Sequence, residues 1–389
     1  MTLRLAEDTL FSDRFGTGAP FRVGVEEELF LVDHHTHAVS PCTDELLSDL
    51  REPLAGGRVL GELCDGVIEL ATPPCASADE AAAALRALRA TVLDTGRARL
   101  LGAGLHPATP FGDVRHRDGR HYDAVGHDTR GTLRQAIFCG VHVHVAMPDS
   151  ETAIAAFNGM RKWLPLLQAL AANSPFWHGQ DSGLASARTV RIHDVPRSGT
   201  LRAFRDWADY RDTMRELVRL ADIDGLGSLW WDMRPHPNLG TLEIRVLDAQ
   251  SSLEDLRGLI ALIHCLTYHE AMVADRTHPP VELLDEASFH AIRDGLDARL
   301  SLGGPVQHLQ ALARQALDLA FGYAPALGCT SALEAVERLL ADGNGADRQR
   351  HAYAHGGMDE VLAELTAETC ALGPGLEPAF VARTTAHAS

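Results

Sequence analysis

The segment Gly61-Glu62-Leu63-Cys64-Asp65-Gly66-Val67-Ile68-Glu69-Leu70 constrains the fold more than any other part of the chain. Asp-Gly between two extended runs signals a two-residue hairpin turn, whose central positions both favour φ > 0. That turn pairs Cys64 with Val67 and Leu63 with Ile68, and it sets Glu62 opposite Glu69. Like charges facing each other across strands are destabilising. A chain that keeps such a pair needs positive charge between them, and a hard divalent cation takes carboxylate oxygens.

Three further segments repeat the design. Phe21 to Asp33 reads as a strand with Val23, Val25, Leu29 and Leu31 on one face and Glu26 and Glu28 on the other. Glu27 falls on the apolar face, which fits a residue near a sheet edge or one with a cationic partner. Gly140 to Val145 puts three valines on one face and His142 and His144 on the other. Gly240 to Asp248 buries Leu242, Ile244 and Val246 and turns Glu243 and Arg245 away. A polar strand face taken alone is usually only solvated. Four such faces carrying glutamate, histidine and arginine, with no lysine, describe a sheet whose second face is a metal-binding active site.

The formal net charge of −18 argues against a general nucleic-acid binder. Seven scattered cysteines without a Cys-x-x-Cys fit buried free thiols in a reducing compartment. The N-terminus lacks an apolar signal core, and no apolar stretch is long enough to span a bilayer. A cytoplasmic protein is expected. Residues 1–20 read as a loose arm and 21–389 as one domain, mainly helical from about residue 282. Helices are expected over Ala78 to Leu101, Ser150 to Ala172, Phe204 to Ala221 and Leu253 to Asp275, with Ser77 or Asp79 capping the first. Gly112 to Thr129 reads as an exposed loop or short helix near the site. Gly179 to Thr200 reads as a long polar connection carrying Arg188, Arg191 and Arg197. The sum is an α+β fold, with helices over one face of an antiparallel or mixed sheet. Neither a Gly-x-x-x-x-Gly-Lys phosphate loop nor a Gly-x-Gly-x-x-Gly fingerprint is present.

Several blocks occur in a specific order. They are Gly24-Val25-Glu26-Glu27-Glu28, Glu62 with Glu69-Leu70-Ala71-Thr72, Gly140 to Val145, Ala172-Asn173-Ser174-Pro175-Phe176-Trp177, and Trp231-Asp232-Met233-Arg234-Pro235-His236-Pro237 with Gly240 to Asp248. This pattern resembles the carboxylate–amine ligases of the type 2 glutamate–cysteine ligase family, from about Phe21 to about Leu300. The resemblance implies a glutamine-synthetase-like catalytic fold, with an antiparallel sheet as one wall of an active-site funnel. It implies ATP and two or three Mg²⁺ ions held by Glu26, Glu28, Glu62, Glu69, His142 and Glu243. It puts Arg234 and Arg245 near the phosphates or an acyl-phosphate, beside Glu243 as the catalytic group. Arg188 and Arg197 become candidates for holding a substrate carboxylate, and a homodimer or larger assembly is suggested.

A carboxylate does not condense with an amine unaided, because its oxygen is a poor leaving group. Phosphorylation by ATP makes an acyl-phosphate that an amine can attack, and that chemistry is mostly positioning plus charge neutralisation. Histidine suits Mg²⁺ less well than carboxylate. His142 therefore fits Mn²⁺ or a phosphate oxygen, and His144 a supporting or cofactor-binding position. The expected activity is ATP-dependent formation of γ-glutamylcysteine. Alternatives are a ligase for another carboxylate and amine, a guanidino-kinase-like phosphotransferase, a metal-dependent hydrolase and a non-catalytic binding protein. The general base for the amine is not identifiable from sequence.

Overall fold

The computed structural model describes residues 12–50, 54, 56–110, 115–117, 137–223, 225–273 and 278–372. Seven strands form one sheet: β1 (Val23–Val32), β2 (Arg58–Gly61), β3 (Val67–Ala71), β4 (Arg99–Leu101), β5 (Gly140–Ala146), β6 (Met233–His236) and β7 (Thr241–Asp248). Their order is β6-β7-β5-β1-β3-β2, and β4 pairs with the Phe30–Val32 end of β1. All these pairings are antiparallel, which decides between the antiparallel and mixed expectations.

Period-two patterning builds the core. Val23, Val25, Leu29 and Leu31 of β1 join Ile68 and Leu70 of β3, the three valines of β5, and Leu242 and Ile244 of β7 in one buried cluster. Each such side chain contributes about 2 kcal/mol by leaving water. The helices are α1 (Thr43–Asp49), α2 (Ala78–Asp94), α3 (Ser150–Met160), α4 (Leu164–Leu170), α5 (Ala187–His193), α6 (Trp207–Ala221), α7 (Leu253–Met272), α8 (Val281–Asp294), α9 (Leu309–Leu327), α10 (Thr330–Asp342) and α11 (Gly345–Cys370). Helices α2, α3, α4 and α7 cover the valine face, and α9 and α10 lie against α7. Helix α11 packs on β4 and closes a smaller cluster around Phe30, Val32 and Leu101. No described helix is long and apolar enough to cross a membrane.

Glu27 has its cationic partner. It is fully buried, and Arg89 of α2 reaches it with Nε at 3.0 Å and Nη2 at 2.5 Å. The same guanidinium donates to the carbonyls of Gln250, Ser251 and Thr369, so its five donors are all used. One ion pair thus ties β1 to α2, the entry of α7 and the end of α11.

The hairpin register differs from the expected one. Leu60, not Glu62, lies opposite Glu69, and Gly61 lies opposite Ile68. Residues 62–66 form a longer loop. Only Gly66 takes a positive φ (91°), so the two-residue turn with both centres left-handed does not form. Asp65 instead uses its carboxylate to accept from the Thr43 N–H at 3.2 Å. The slip is two residues, which leaves the facing of the side chains intact.

Other boundaries shift for local reasons. Ser77 caps α2 by accepting from Glu80 N, worth about 1 kcal/mol. The helix stops at Asp94, because Gly96 turns left-handed (φ 66°) and the chain re-enters the sheet as β4. The stretch 150–172 breaks into two helices around a 3₁₀ turn at Arg161–Trp163. The connection 179–200 holds α5, capped by Ser186. The end of the Leu253 helix expected at Asp275, and most of 112–129, lie outside the described residues. Of the N-terminal arm, 12–20 lies against the body: Arg14 N donates to Pro237 O, Gly16 N to Met147 O, and Phe15 packs edge-on to Trp207.

Candidate active site

Strand register assembles the polar face. Glu26 lies beside His142, and Glu28 beside Glu69. Glu243 sits between His144 of β5 and Arg234 of β6. A one-residue bulge in β7 after Ile244 changes the phase there. Arg245 stays on the polar side against Glu243 and His142, while Leu247 returns to the core and Asp248 faces Gly140.

Two groups of donors result. Oxygens of Glu28, Glu62 and Glu69 lie within 4.8 Å of one another, and so do donor atoms of Glu26, His144 and Glu243. His144 Nδ1 bonds Thr241 Oγ1 at 2.9 Å. Its buried Nε2 has no hydrogen-bond partner and faces Glu26 Oε1 at 3.5 Å and Glu243 Oε1 at 3.9 Å. With Nδ1–H donating to Thr241, Nε2 presents a lone pair to the cluster. Five carboxylates and one such imidazole fit hard divalent cations. His142, an expected ligand, has its Nδ1 3.1 Å from Glu26 Oε2 and stands beside the group that His144 joins.

Electrostatics point the same way. Burial, then the charge of Glu62, pushes Glu28 up to about 7 against the opposing pull of Arg188. Burial and the charges of Glu26, Glu62 and Glu28 push Glu69 up to about 9. Carboxylates this close keep protons until a cation replaces them. Glu26 and Glu243 behave oppositely. Burial would raise both, but His142 and His144 hold Glu26 far below its ordinary value, and Arg234 and Arg245 do so for Glu243. Burial and the Arg245 charge lower His142 to about 4, which keeps it neutral.

Two cavities flank the acidic face. One of about 30 Å³ is lined by Glu28, His142, Arg188, Trp231, Asp232 and Arg245, among others. Arg188 comes from α5, is almost fully buried, and lies 3.7 Å from Asp248. A Cβ at position 140 would stand 2.1 Å from Arg188 Nη2, so glycine there makes room for the guanidinium. Asp248 is anchored by Asn173 N, Ser174 Oγ and Ser186 Oγ. The other cavity, about 310 Å³, has Glu26, His144 and Thr241 on one side and Arg14, Arg22 and Arg58 on its rim.

The two other expected arginines are not among the residues lining either cavity. Arg197 donates Nε to Ser228 O at 3.2 Å. Arg234 is engaged by Glu243 and by the carbonyls of Leu226 and Leu229. That makes it a brace for Glu243. Sequence reasoning gave no role to Asp232, Asp248 or the rim arginines. Asp232 stands within the Trp-Asp-x-Arg-Pro block and Asp248 closes the Gly240 block, whereas the rim arginines carry no local signal.

The chain matches the model of glutamate-cysteine ligase family 2 over residues 22–367. A Rubrobacter xylanophilus protein named "Putative glutamate--cysteine ligase 2-3" is 38% identical over 92% of this chain and 99% of its own length. The glutamate–cysteine ligase of Haloferax volcanii is 37% identical over 73% of this chain and 80% of its own length. In fold, the chain is similar to a solved glutamate–cysteine ligase from Francisella tularensis in complex with AMP, with TM-score 0.69, 15% identity, and 95% and 93% of the two chains covered. A bifunctional glutathione synthetase from Pasteurella multocida gives TM-score 0.64 at 13% identity over 90% of this chain and 52% of that one. The chain belongs to glutamate–cysteine ligase family 2 and is an ATP-dependent ligase.

Proposed function

We propose that this ligase joins a carboxylate of glutamate to the amino group of cysteine through an acyl-phosphate formed with ATP. The observation that carries the reading is the acidic face with a cavity on either side. Arg188 and Arg245 mark one as the place for an anionic amino acid, and Arg14, Arg22 and Arg58 mark the other as the place for a polyanion.

Phosphoryl transfer between two anions needs charge neutralisation and alignment more than covalent help. Glu26, His144 and Glu243 would hold one divalent cation, and Glu28, Glu62 and Glu69 another. A bound Mg²⁺ or Mn²⁺ would neutralise phosphate charge between the two anions. Arg188, rigid against Asp248, binds the substrate's free carboxylate and sets its reacting carboxylate toward the cluster. Arg245 meets charge that develops on the transferring group, and Arg234 fixes the carboxylate of Glu243. Trp230, Trp231 and Phe138 exclude water that would hydrolyse an acyl-phosphate.

The test is ADP release by purified protein with MgATP, glutamate and a panel of amines that includes cysteine. Amine-dependent ADP release with a mass-confirmed amide supports the reading. ADP release with phosphorylated substrate and no amide favours a phosphotransferase, and activity with another carboxylate redirects the substrate assignment.

A further inference from the structure

Asp232 lines the smaller cavity together with Glu28, Arg188 and Arg245. Its backbone is pinned, with N donating to Gly199 O and O accepting from Arg245 N. Both oxygens have partners: His193 Nε2 is 3.0 Å from Oδ1, and Thr200 Oγ1 donates to Oδ2 at 2.8 Å. Asp232 is buried, whereas the His193 side chain, at the end of α5, is 31% exposed. A buried carboxylate of a residue that lines the cavity is therefore joined by one hydrogen bond to an imidazole that reaches water.

We infer that Asp232 receives the ammonium of the amine substrate and that His193 takes its proton out to solvent. The inference rests on the ligase reading above and supplies the base that it lacks. An ammonium cannot attack an acyl-phosphate until it loses a proton. With His193 in its Nδ1–H tautomer, that proton passes from the ammonium to the Asp232 carboxylate and on to the lone pair of His193 Nε2, while Nδ1 releases its own proton to water. The freed lone pair attacks the carbonyl carbon, the carbon–oxygen bond to phosphate breaks, and the second N–H proton leaves with the phosphate. Three charged groups set the imidazole: Asp232 on the strand side, Arg188 on α5 itself, and Asp285 of α8. Burial would lower His193, but Asp232 and Asp285 leave it raised above its ordinary value, toward the working pH of a general base. The bland alternative is a structural tie between α5 and the strand. The two differ in whether amine protonation matters.

Hydroxylamine separates them, because it is already neutral at pH 7 and needs no base. Wild type, Asp232→Asn and His193→Gln are assayed with MgATP and glutamate, using cysteine or hydroxylamine as acceptor. Loss of a general base costs about 100-fold or more. The ratio of hydroxamate to cysteine amide formed should therefore rise by about 100-fold in either variant. In His193→Gln, the cysteine rate should recover as pH rises. His193→Gln keeps a donor toward Asp232, so it carries the test alone if Asp232→Asn does not fold. A wild-type ratio in folded His193→Gln overturns the proton route, as does an equal loss with both acceptors. Wild-type protein that makes neither product sinks the glutamate reading itself, and this role with it.

Discussion

Replacing Arg89 with methionine removes the positive charge paired with the buried carboxylate of Glu27. It also strips the donors from the carbonyls of Gln250, Ser251 and Thr369. Taking away one partner of a buried ion pair costs about 3–5 kcal/mol, because the other charge is left in the core. Unsatisfied carbonyls cost about 1–3 kcal/mol each when nothing replaces the donor. The contributions overlap, so the expected loss is about 4 kcal/mol, a large share of the roughly 5–15 kcal/mol that holds a typical protein together. Unfolding entropy near 2.1 cal/mol/K per residue gives about 0.8 kcal/mol per degree for 389 residues. The midpoint should therefore fall by about 5 °C. Glu27→Met should cost a similar amount by stranding the guanidinium. The double variant Glu27→Met/Arg89→Met leaves no charge behind, and it should recover about 2–3 kcal/mol relative to the sum of the singles. Urea denaturation followed by tryptophan fluorescence measures all four proteins. Strictly additive single costs, or a double variant worse than that sum, would refute the buried-charge reasoning.

Other consequences concern the site. In cation-free protein, Glu28 and Glu69 keep protons up to about 7 and about 9, where the unfolded chain sheds them near 4.5. The folded state then binds more protons than the unfolded one, so stability falls as pH rises through that window. The melting-point gain from added Mg²⁺ should be larger at pH 8.5 than at pH 6, and Glu69→Gln should shrink the difference; an equal gain at both pH values contradicts the assignment. Glu243→Gln presents an amide to Arg234 and Arg245 in place of a carboxylate, and ligation should fall more than about 100-fold in steady-state assays. Gly140→Ala drives a methyl group against Arg188 Nη2. Its stability loss should stay within about 1–3 kcal/mol, while KM for glutamate rises about tenfold or more and KM for ATP changes little.

Most of the polar face was legible because strand phase is a local property. Glu26, Glu28, His142, His144 and Glu243 follow from alternation alone, and the structure aligns them on one face. Glu69 and Glu62 stay on that face although the hairpin slips, because a shift of two residues preserves the side of every side chain. What sequence could not supply depends on distance along the chain. Arg89 lies 62 residues from Glu27, and nothing near either residue announces the pair. The bulge that returns Leu247 to the core, after Arg245 has followed Glu243 on the polar face, is set by pairing with β5. The orientation of His144 Nε2 toward Glu26 and Glu243 turns on Thr241, on a strand about a hundred residues away. Arg188 was named from its place on a polar connection, and its rigidity comes from Asp248 and from the missing side chain at Gly140. Arg197 carried the same signal, yet its guanidinium is held by Ser228.

The most direct measurement follows oxygen. Glutamate labelled with ¹⁸O in its side-chain carboxylate is incubated with protein, MgATP and cysteine, and the inorganic phosphate is examined by mass spectrometry. If the carboxylate is phosphorylated before the amine attacks, one labelled oxygen appears in phosphate for each amide formed. Amide formed with unlabelled phosphate would contradict an acyl-phosphate at this site.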